Sequence, residues 1–360
     1  MDPIKHFSSF QVENFKGFQK LEINDLGLIN LIVGDNNIGK TSVLESLLLN
    51  NDLRSTLGTL FYLFNVHHDF YSHKGNDLEV NYFDFFLRKE SKSKTIKCFR
   101  IYDDNSQVSL SYHLATPEDL SLPEKDFLKA KIQTTQAVAQ YCVLEEDGIL
   151  KGIEPLNPLQ FKMDDAYVPY IGVNIGYAQD IVKYYSLYIQ SSKLQKEELL
   201  IDLNFFIPDI EDIEVSASLL KNAPSLMIRR KNIDTLVPLS MYGEGSIKLF
   251  RIIIEIIMCK NQFLLIDEID SGIHFSRFRI FWKLILKTAQ KYNVQIISTT
   301  HSLECLKYLK EALEDNDLKN LQSQTKHFVL RRQSDMNIKA SAYNFEQFEY
   351  ALDAGNEIRK

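Results

Sequence analysis

Residues 34–41 have the types and spacing needed to hold a phosphate chain. The octapeptide Gly34–Thr41 (GDNNIGKT), called the glycine loop below, fits the pattern G-x4-G-K-[ST]. Backbone N–H groups must wrap a polyphosphate closely, so glycines belong where a side chain would collide or where φ is positive. Lys40 would reach the β- and γ-phosphates, and the Thr41 hydroxyl would coordinate Mg²⁺. Asn37 stands where a third glycine is common, and asparagine tolerates the left-handed region.

The segments around the glycine loop favour phosphate binding over a chance turn. Leu28–Val33 is a continuous apolar run, typical of a buried parallel strand, and Thr41–Leu49 has helical spacing. The N-terminus of such a helix directs unpaired amides at an anion. A random match to the pattern in 360 residues is roughly a 1% event. The order strand, loop, helix therefore predicts a phosphate-binding site.

Two acids end a second apolar run, Leu264–Glu268 (LLIDE). At the carboxyl end of a buried parallel strand, Asp267 would hold the water shell of Mg²⁺. Glu268 faces another direction and would act as general base toward an attacking water. The alternative is a strand that simply emerges into solvent, where acids are common, and the nearby glycine loop favours the functional interpretation.

The segment Gln295–Ser302 (QIISTTHS) reads as a third buried strand that ends in a hydroxyl cluster and a histidine. A lone histidine is usually a surface or core residue. His301 nevertheless stands at a strand exit like the two acids, where it would contact the γ-phosphate and orient water.

The segment Ser240–Gly245 (SMYGEG), called the serine–glycine segment below, precedes a predicted helix. Ser240 is a candidate N-cap, and Gly243 and Gly245 would bring backbone amides close to a partner anion. Taken alone, this hexapeptide fits an ordinary capped helix start better than an anion site.

The order of elements predicts an α/β protein with a parallel central sheet, an antiparallel β-lobe and an inserted helical segment. Predicted strands are Phe10–Phe15, Leu21–Ile23, Leu28–Val33, Gln262–Ile266, Val294–Ser298, His327–Arg331 and Ile338–Tyr343, with hairpins in Lys94–Tyr112, Ala137–Leu150 and Ile213–Leu239. Predicted helices are Thr41–Leu49, one or two within 176–200, Gly243–Cys259, Ser276–Lys291, Ser302–Glu314 and one from Phe345.

Composition excludes several classes of protein. The 360 residues predict about two domains or one large one, and 45% apolar with 25% charged residues is typical of a globular chain. A net charge of −7 excludes a basic protein that coats nucleic acid, although a local basic strip such as Arg229–Lys231 would still permit contact. Four cysteines without a CxxC pair exclude a zinc ribbon and suit a reducing compartment. The N-terminus lacks a signal peptide, and apolar runs of ~7–10 residues are shorter than a membrane span of ~20. We therefore expect a cytoplasmic protein.

The motifs together resemble the ABC-type P-loop ATPases of the SMC and recombination-repair group. The chain is most similar to bacterial AAA-type ATPases of the overcoming-lysogenization-defect (OLD) family. That similarity also covers Phe10–Phe18 (FQVENFKGF), Ile266–His274 (IDEIDSGIH) and 351–359 (ALDAGNEIR), whereas residues of about 50–210 match only loosely.

The resemblance implies ATP and Mg²⁺ as cofactors and assigns a role to each motif. It makes Asp267 and Thr41 the magnesium ligands, Glu268 the catalytic base and His301 the switch histidine. The ATP-binding residues that it implies are Gly34, Asn36, Asn37, Ile38, Gly39, Lys40, Thr41 and Ser42.

The resemblance also implies a subunit arrangement. In such proteins the serine–glycine segment binds the γ-phosphate of the nucleotide held by the other subunit. Ser240, Gly243 and Gly245 would then act in trans, in a head-to-tail homodimer or a higher homo-oligomer, and hydrolysis would remove the phosphate that bridges two chains.

Several features depart from the pattern. The expected glutamine between the glycine loop and the serine–glycine segment is not assignable among Gln133, Gln136, Gln140 and Gln179. Only 198 residues separate Ser42 from Ser240, too few for an SMC coiled-coil arm, and about 60 residues after His301 leave no room for the Toprim nuclease of OLD proteins. We therefore predict an ATPase head from residues 1–50 and 210–360 with an insertion of hairpins and helices at 51–210, and a separate effector.

The expected function is that of a Mg²⁺-dependent ATPase that switches a separate nuclease or toxin in anti-phage defence or genome maintenance. Alternatives are an ATP-bound structural scaffold with negligible turnover and a DNA-binding repair ATPase. A transporter ATPase is disfavoured because Ile269 follows Glu268, where transporters usually have proline. Lys248 and Arg251, in the predicted helix after the serine–glycine segment, are either solvent-facing charges or contacts that sense nucleotide.

Overall fold

The computed structural model describes residues 6–68, 86–88, 93–114, 141–155, 168–173, 179–217, 224–335 and 337–355. Of the predicted features, Gln133, Gln136, Gln140, the start of the Ala137–Leu150 hairpin and the end of the 351–359 motif lie outside these residues, as does the side chain of Gln179.

A six-stranded sheet in the order β15-β14-β3-β13-β12-β8 forms the centre of the fold. Its strands are β3 (Ile29–Gly34), β8 (Tyr170–Ile171), β12 (Phe263–Ile266), β13 (Gln295–Thr299), β14 (Thr325–Arg332) and β15 (Ile338–Tyr343). All neighbours are parallel except β14 and β15. Every residue of β3 and β13 is buried, as expected for parallel strands covered on both faces. The predicted parallel sheet is confirmed.

A second six-stranded sheet is antiparallel and follows the order β2-β1-β4-β5-β6-β7. Its strands are β1 (Phe7–Phe15), β2 (Phe18–Asn24), β4 (Thr95–Tyr102), β5 (Gln107–Leu114), β6 (Tyr141–Glu146) and β7 (Ile149–Pro155). In β2, Phe18, Leu21 and Ile23 are buried because they pack on a core shared with the first helix, and the other residues are exposed. The predicted β-lobe is confirmed. Because β4 pairs with β1 and β8 pairs with β12, residues between 51 and 210 contribute strands to both sheets.

A third, antiparallel sheet packs beside the helical segment. It comprises β9 (Ile210–Ala217), β10 (Pro224–Arg230) and β11 (Ile233–Pro238) in the order β11-β10-β9. In the predicted charged hairpin of this sheet, Arg229 pairs with Glu214 and Arg230 lies 3.6 Å from Asp209.

The helices cover both faces of the central sheet. They are α1 (Lys40–Leu47), α2 (Leu53–His68), α3 (Gln179–Tyr184) continued by a π-helix (Tyr185–Gln190), α4 (Lys193–Leu203), α5 (Glu244–Met258), α6 (Phe278–Tyr292), α7 (Leu303–Leu313) and α8 (Phe345–Asp353). Short 3₁₀ turns occupy Leu239–Met241, Phe275–Arg277 and Lys319–Gln324. The predicted helices are present, while α2 and the π-helix were not predicted. Among the described residues, no helix is long and apolar enough to cross a membrane.

A buried histidine, His327 in β14, stacks on Phe348 of α8 with ring centroids 3.4 Å apart. Neither ring nitrogen has a hydrogen-bond partner among the described residues. Burial lowers the pKa of His327 to about 3, from 6.5, since no neighbour compensates a charge there. The unfolded chain therefore binds the extra proton between pH 6.5 and 3, and stability falls as the pH decreases through this window.

We expect this histidine to destabilise the fold by about 2 kcal/mol at pH 5 relative to pH 7. His327→Phe should flatten the slope of the unfolding free energy against pH, measured by urea denaturation between pH 4.5 and pH 7.5. The exposed His274 provides the control, as His274→Gln should keep the wild-type slope. An unchanged slope in His327→Phe would contradict a buried neutral imidazole.

Candidate functional site

The glycine loop joins the end of β3 to the start of α1 and depends on its glycines. At Gly34 (φ 154°), a Cβ would lie 2.9 Å from the carbonyl oxygen of Leu330. At Gly39 (φ 102°), a Cβ would lie 3.0 Å from Cζ of Phe18. Asn37 adopts the left-handed conformation predicted for it, with φ 60°. The loop therefore keeps a backbone shape that requires glycine, or a residue such as asparagine that tolerates a positive φ.

Lys40 is folded back over the glycine loop. Its Nζ donates to the carbonyl oxygens of Gly34 (2.9 Å) and Asp35 (3.0 Å), and the residue is 9% exposed. Burial lowers the pKa of Lys40, and the carboxylates of Glu268 and Asp267 partly oppose this shift. A phosphate anion in the loop would replace the two carbonyl oxygens with charged acceptors.

Asp267 lies at the centre of a hydrogen-bonded group of oxygens. Oδ2 accepts from the Thr41 hydroxyl at 2.8 Å, and Oδ1 accepts from the Thr299 hydroxyl at 2.6 Å. The carboxylate is 2% exposed. This contact joins α1 to the end of β12, because β3, β13 and β12 are neighbouring parallel strands whose carboxyl ends share one edge.

The donors present fit Mg²⁺. A hydroxyl and a carboxylate are hard oxygen ligands, and Mg²⁺ commonly binds one or two carboxylates while nucleotide phosphates and water complete the octahedron. Thr41 and Asp267 already lie within hydrogen-bond distance of each other. They would hold the ion, which would neutralise charge on the phosphates.

Glu268 and His301 lie side by side at the same edge. Nδ1 of His301 is 3.8 Å from Oε1 of Glu268, with side chains 51% and 35% exposed respectively. Glu268 has a left-handed backbone (φ 43°), and its N–H donates to Oγ1 of Thr299 at 2.8 Å. The carboxylate thus remains accessible while its backbone is fixed, a geometry suited to a general base that meets solvent water.

The serine–glycine segment leads into α5 and stands outside the hydrogen-bond network of the glycine loop in the same chain. No hydrogen bond within the described residues joins Ser240, Gly243 or Gly245 to the loop. Ser240 is exposed in a 3₁₀ turn, so the prediction that it caps the helix is wrong. Gly243, with φ 81°, occupies the N-cap of α5 and offers no side chain.

Gly245 packs against the turn that follows Glu268. A Cβ on Gly245 would lie 3.0 Å from the carbonyl oxygen of Gly272. The start of α5 therefore packs directly on the residues that follow Asp267 and Glu268.

The two basic residues of α5 are buried, so the solvent-facing interpretation was wrong. Lys248 is 6% exposed and Arg251 is 4% exposed. Nζ of Lys248 donates to the carbonyl oxygen of Glu268 at 2.5 Å and to Oγ of Ser271. Arg251 binds Glu255 at 2.6 Å and Asp180 at 2.8 Å. Eight of the eleven residues 247–257 are apolar, and a helix with apolar residues all round is buried, so this pattern indicated burial.

Tyr170 and Thr299 lie at the site, although the sequence analysis assigned them no role. The hydroxyl of Tyr170 lies 3.5 Å from Oδ2 of Asp267, and burial raises the pKa of that phenol. Thr299 bonds both acids, through the side chain of Asp267 and the backbone N–H of Glu268. The strand before Thr299 placed it at the sheet edge, but no local pattern marks Tyr170.

The sheet order, the glycine loop and the acids at one edge define a P-loop ATPase. The chain belongs to the family described as "AAA domain, putative AbiEii toxin, Type IV TA system", whose model matches residues 29–307. The resemblance to P-loop ATPases and the α/β fold class expected from the sequence are thereby confirmed.

Individual relatives agree with this class. An ATP/GTP phosphatase of Helicobacter pylori is 25% identical over 376 residues, covering 96% of this chain and 97% of that protein. The fold is similar to an Smc head bound to the C-winged helix domain of ScpA, with a TM-score of 0.54, 11% identity, and 96% and 99% of the two chains covered. An Smc head with an extended coiled coil, bound to the C-terminal domain of ScpA from Pyrococcus furiosus, gives a TM-score of 0.54 at 12% identity over 99% and 100%.

Proposed function

We propose that the chain hydrolyses Mg²⁺-bound ATP at the shared edge of β3, β12 and β13. The observation that carries this proposal is the direct bond between Thr41 and Asp267, which brings the glycine loop and the acids into one site. The ATP/GTP phosphatase activity named for the Helicobacter pylori relative supports it.

In the proposed reaction, water attacks the γ-phosphorus while the Glu268 carboxylate accepts its proton, and ADP leaves with the electrons of the broken P–O bond. Lys40 binds the β- and γ-phosphates during this step. His301, next to Glu268, orients the water.

We further propose that two copies enclose ATP head to tail, each giving Ser240, Gly243 and Gly245 to the nucleotide of the other. Ser240 and Gly243 are exposed in the single chain and free to meet another molecule. Two large apolar side chains near the start of α5, Met241 and Phe275, are 74% and 53% exposed. Exposed apolar groups of this size at a polar site favour contact with a second protein surface.

Mixing two inactive variants tests the trans arrangement. Lys40→Met removes the ammonium group proposed to bind phosphate, and Ser240→Arg places a large side chain on the exposed serine–glycine segment. A heterodimer of the two has one site in which both defects meet and one site that is intact. An equimolar mixture should therefore regain about a quarter of wild-type phosphate release when pairing is random.

A second mixture supplies the control. In a mixture of Lys40→Met with Glu268→Gln, both substitutions lie in the half of the site that carries the glycine loop. Each site of a heterodimer then contains one of the two defects, so no intact site forms and no activity should return. Recovery in this control, or none in the first mixture, would contradict the head-to-tail dimer.

We propose that the ATP-bound dimer switches a separate effector, a nuclease or toxin, in anti-phage defence. The description of the family as a toxin–antitoxin system supports a partner of this kind. We propose that residues 51–210 are an insertion in the ATPase head. Its helical part offers exposed apolar side chains for contact with a partner: Leu187, Tyr188, Leu194, Ile201 and Phe205. Their removal from water would favour binding of another protein.

A further inference from the structure

The backbone of Glu268 is held in an unfavourable conformation. A glutamate has no local reason to adopt φ 43°, because its Cβ crowds the following carbonyl group in the left-handed region. Such a conformation persists only when neighbouring groups fix it. The structure shows which groups do so.

Two side chains and two backbone bonds hold the peptide groups on either side of this residue. The backbone bonds run from the N–H of Ser271 to the carbonyl oxygen of Glu268 (2.9 Å) and from the N–H of Ile269 to the carbonyl oxygen of Thr299 (3.0 Å). On one side, Oγ1 of Thr299 accepts the N–H of Glu268 at 2.8 Å. On the other, Nζ of Lys248 donates to the carbonyl oxygen of Glu268 at 2.5 Å. The Thr299 hydroxyl uses its own proton on Asp267, so its geometry is fixed as well.

The position of Lys248 is costly, which indicates that its contacts matter. The side chain is buried, and burial lowers the pKa of Lys248 to about 8, against the opposing influence of Asp270, Glu268 and Asp267. Oγ of Ser271 is its second acceptor. A methionine at this position would fill similar space without a desolvated charge.

We propose that Lys248 is a positioning residue for Glu268: its ammonium group fixes the carbonyl of the base and thereby aims the carboxylate at the attacking water. The proposal rests on the proposed function of Glu268 as the base. Lys248 lies one turn into α5, whose first residues are proposed to meet the nucleotide of the second copy. The position of α5 and the orientation of the Glu268 carboxylate are therefore coupled through Lys248.

Lys248→Met tests the proposal through steady-state kinetics. We expect kcat for ATP to fall roughly 10- to 100-fold, since a misaimed base loses most of its effect. KM and the directly titrated affinity for ATP should stay within about threefold, because the hydrogen bonds of Lys248 go to Glu268 and Ser271 and not to the glycine loop. Lys248→Arg, which keeps a cationic donor, should recover part of kcat.

A double variant separates positioning from a general loss of structure. If Lys248 acts only through the base, adding Lys248→Met to Glu268→Gln should lower kcat by less than about twofold. The matched control is Arg251→Met, which removes a buried cation from the same helix that contacts Asp180 and Glu255 instead. Thermal unfolding of each variant shows how much loss of stability alone changes kcat.

Two results would overturn the proposal while leaving the proposed function intact. One is near-wild-type kcat in Lys248→Met while Glu268→Gln is inactive. The other is a full additional loss in the double variant. Full turnover in Glu268→Gln would instead remove the proposed base, and with it the basis for any positioning role.

Discussion

Glu268→Gln should reduce kcat for ATP hydrolysis by about 10²- to 10⁴-fold, the usual contribution of a positioned general base. Glutamine has nearly the same shape, but its amide cannot take the proton of the attacking water. ATP should still bind, because Lys40, Thr41 and Asp267 are unchanged. The nucleotide would then persist between two chains, and an ATP-bound dimer should accumulate.

Phosphate release at saturating ATP and Mg²⁺ measures the first effect, and light scattering after size-exclusion chromatography measures the second. Glu304→Gln is the matched control, since Glu304 lies in the first turn of α7, soon after His301. Wild-type turnover in Glu268→Gln would show that another group accepts the proton. A variant that is inactive but strictly monomeric with ATP would contradict the bridging role of the γ-phosphate.

Lys40→Met should weaken ATP binding by about 30-fold or more, because removing one partner of a desolvated, hydrogen-bonded charge pair costs about 2–5 kcal/mol. Within the described residues, the ammonium donates to two carbonyl oxygens, and burial lowers its pKa. The variant should therefore fold normally. Loss of affinity would come from the missing cation and not from a disrupted loop.

Isothermal titration with ATP and Mg²⁺ measures this affinity, and thermal unfolding verifies the fold. Lys20→Met is the control, as Lys20 has a side chain 53% exposed and lies 3.8 Å from Glu22. Undiminished ATP affinity in a folded Lys40→Met protein would exclude the glycine loop as the phosphate site.

The glycine loop, its strand and its helix were predictable because the signals are local. The apolar run of β3, the glycine spacing and the start of α1 lie within about twenty residues, a distance over which backbone preferences and hydrophobic periodicity act together. The acids of β12 and the histidine after β13 were predictable for the same reason. Their mutual distances were not, because they depend on which strands become neighbours in the sheet.

Lys248 and Tyr170 show where local patterns fail. The charge of Lys248 suggested a solvent-facing residue, although the apolar residues around it bury the whole helix and force its ammonium group to find partners at Glu268 and Ser271. Tyr170 lies in a two-residue strand, too short for any periodicity, and tertiary contacts alone bring its hydroxyl toward Asp267. The trans role of Ser240, Gly243 and Gly245 involves a second molecule and stays a prediction.

The shortness of β8 has a consequence for colloidal behaviour. The edge strand of a sheet exposes amide and carbonyl groups with which another extended chain can form hydrogen bonds. Long, flat edge strands therefore promote aggregation. Here the border beside β12 ends in only two paired residues, Tyr170 and Ile171. So short an edge strand offers few backbone hydrogen bonds to an incoming strand, which disfavours association of molecules through this edge of the central sheet.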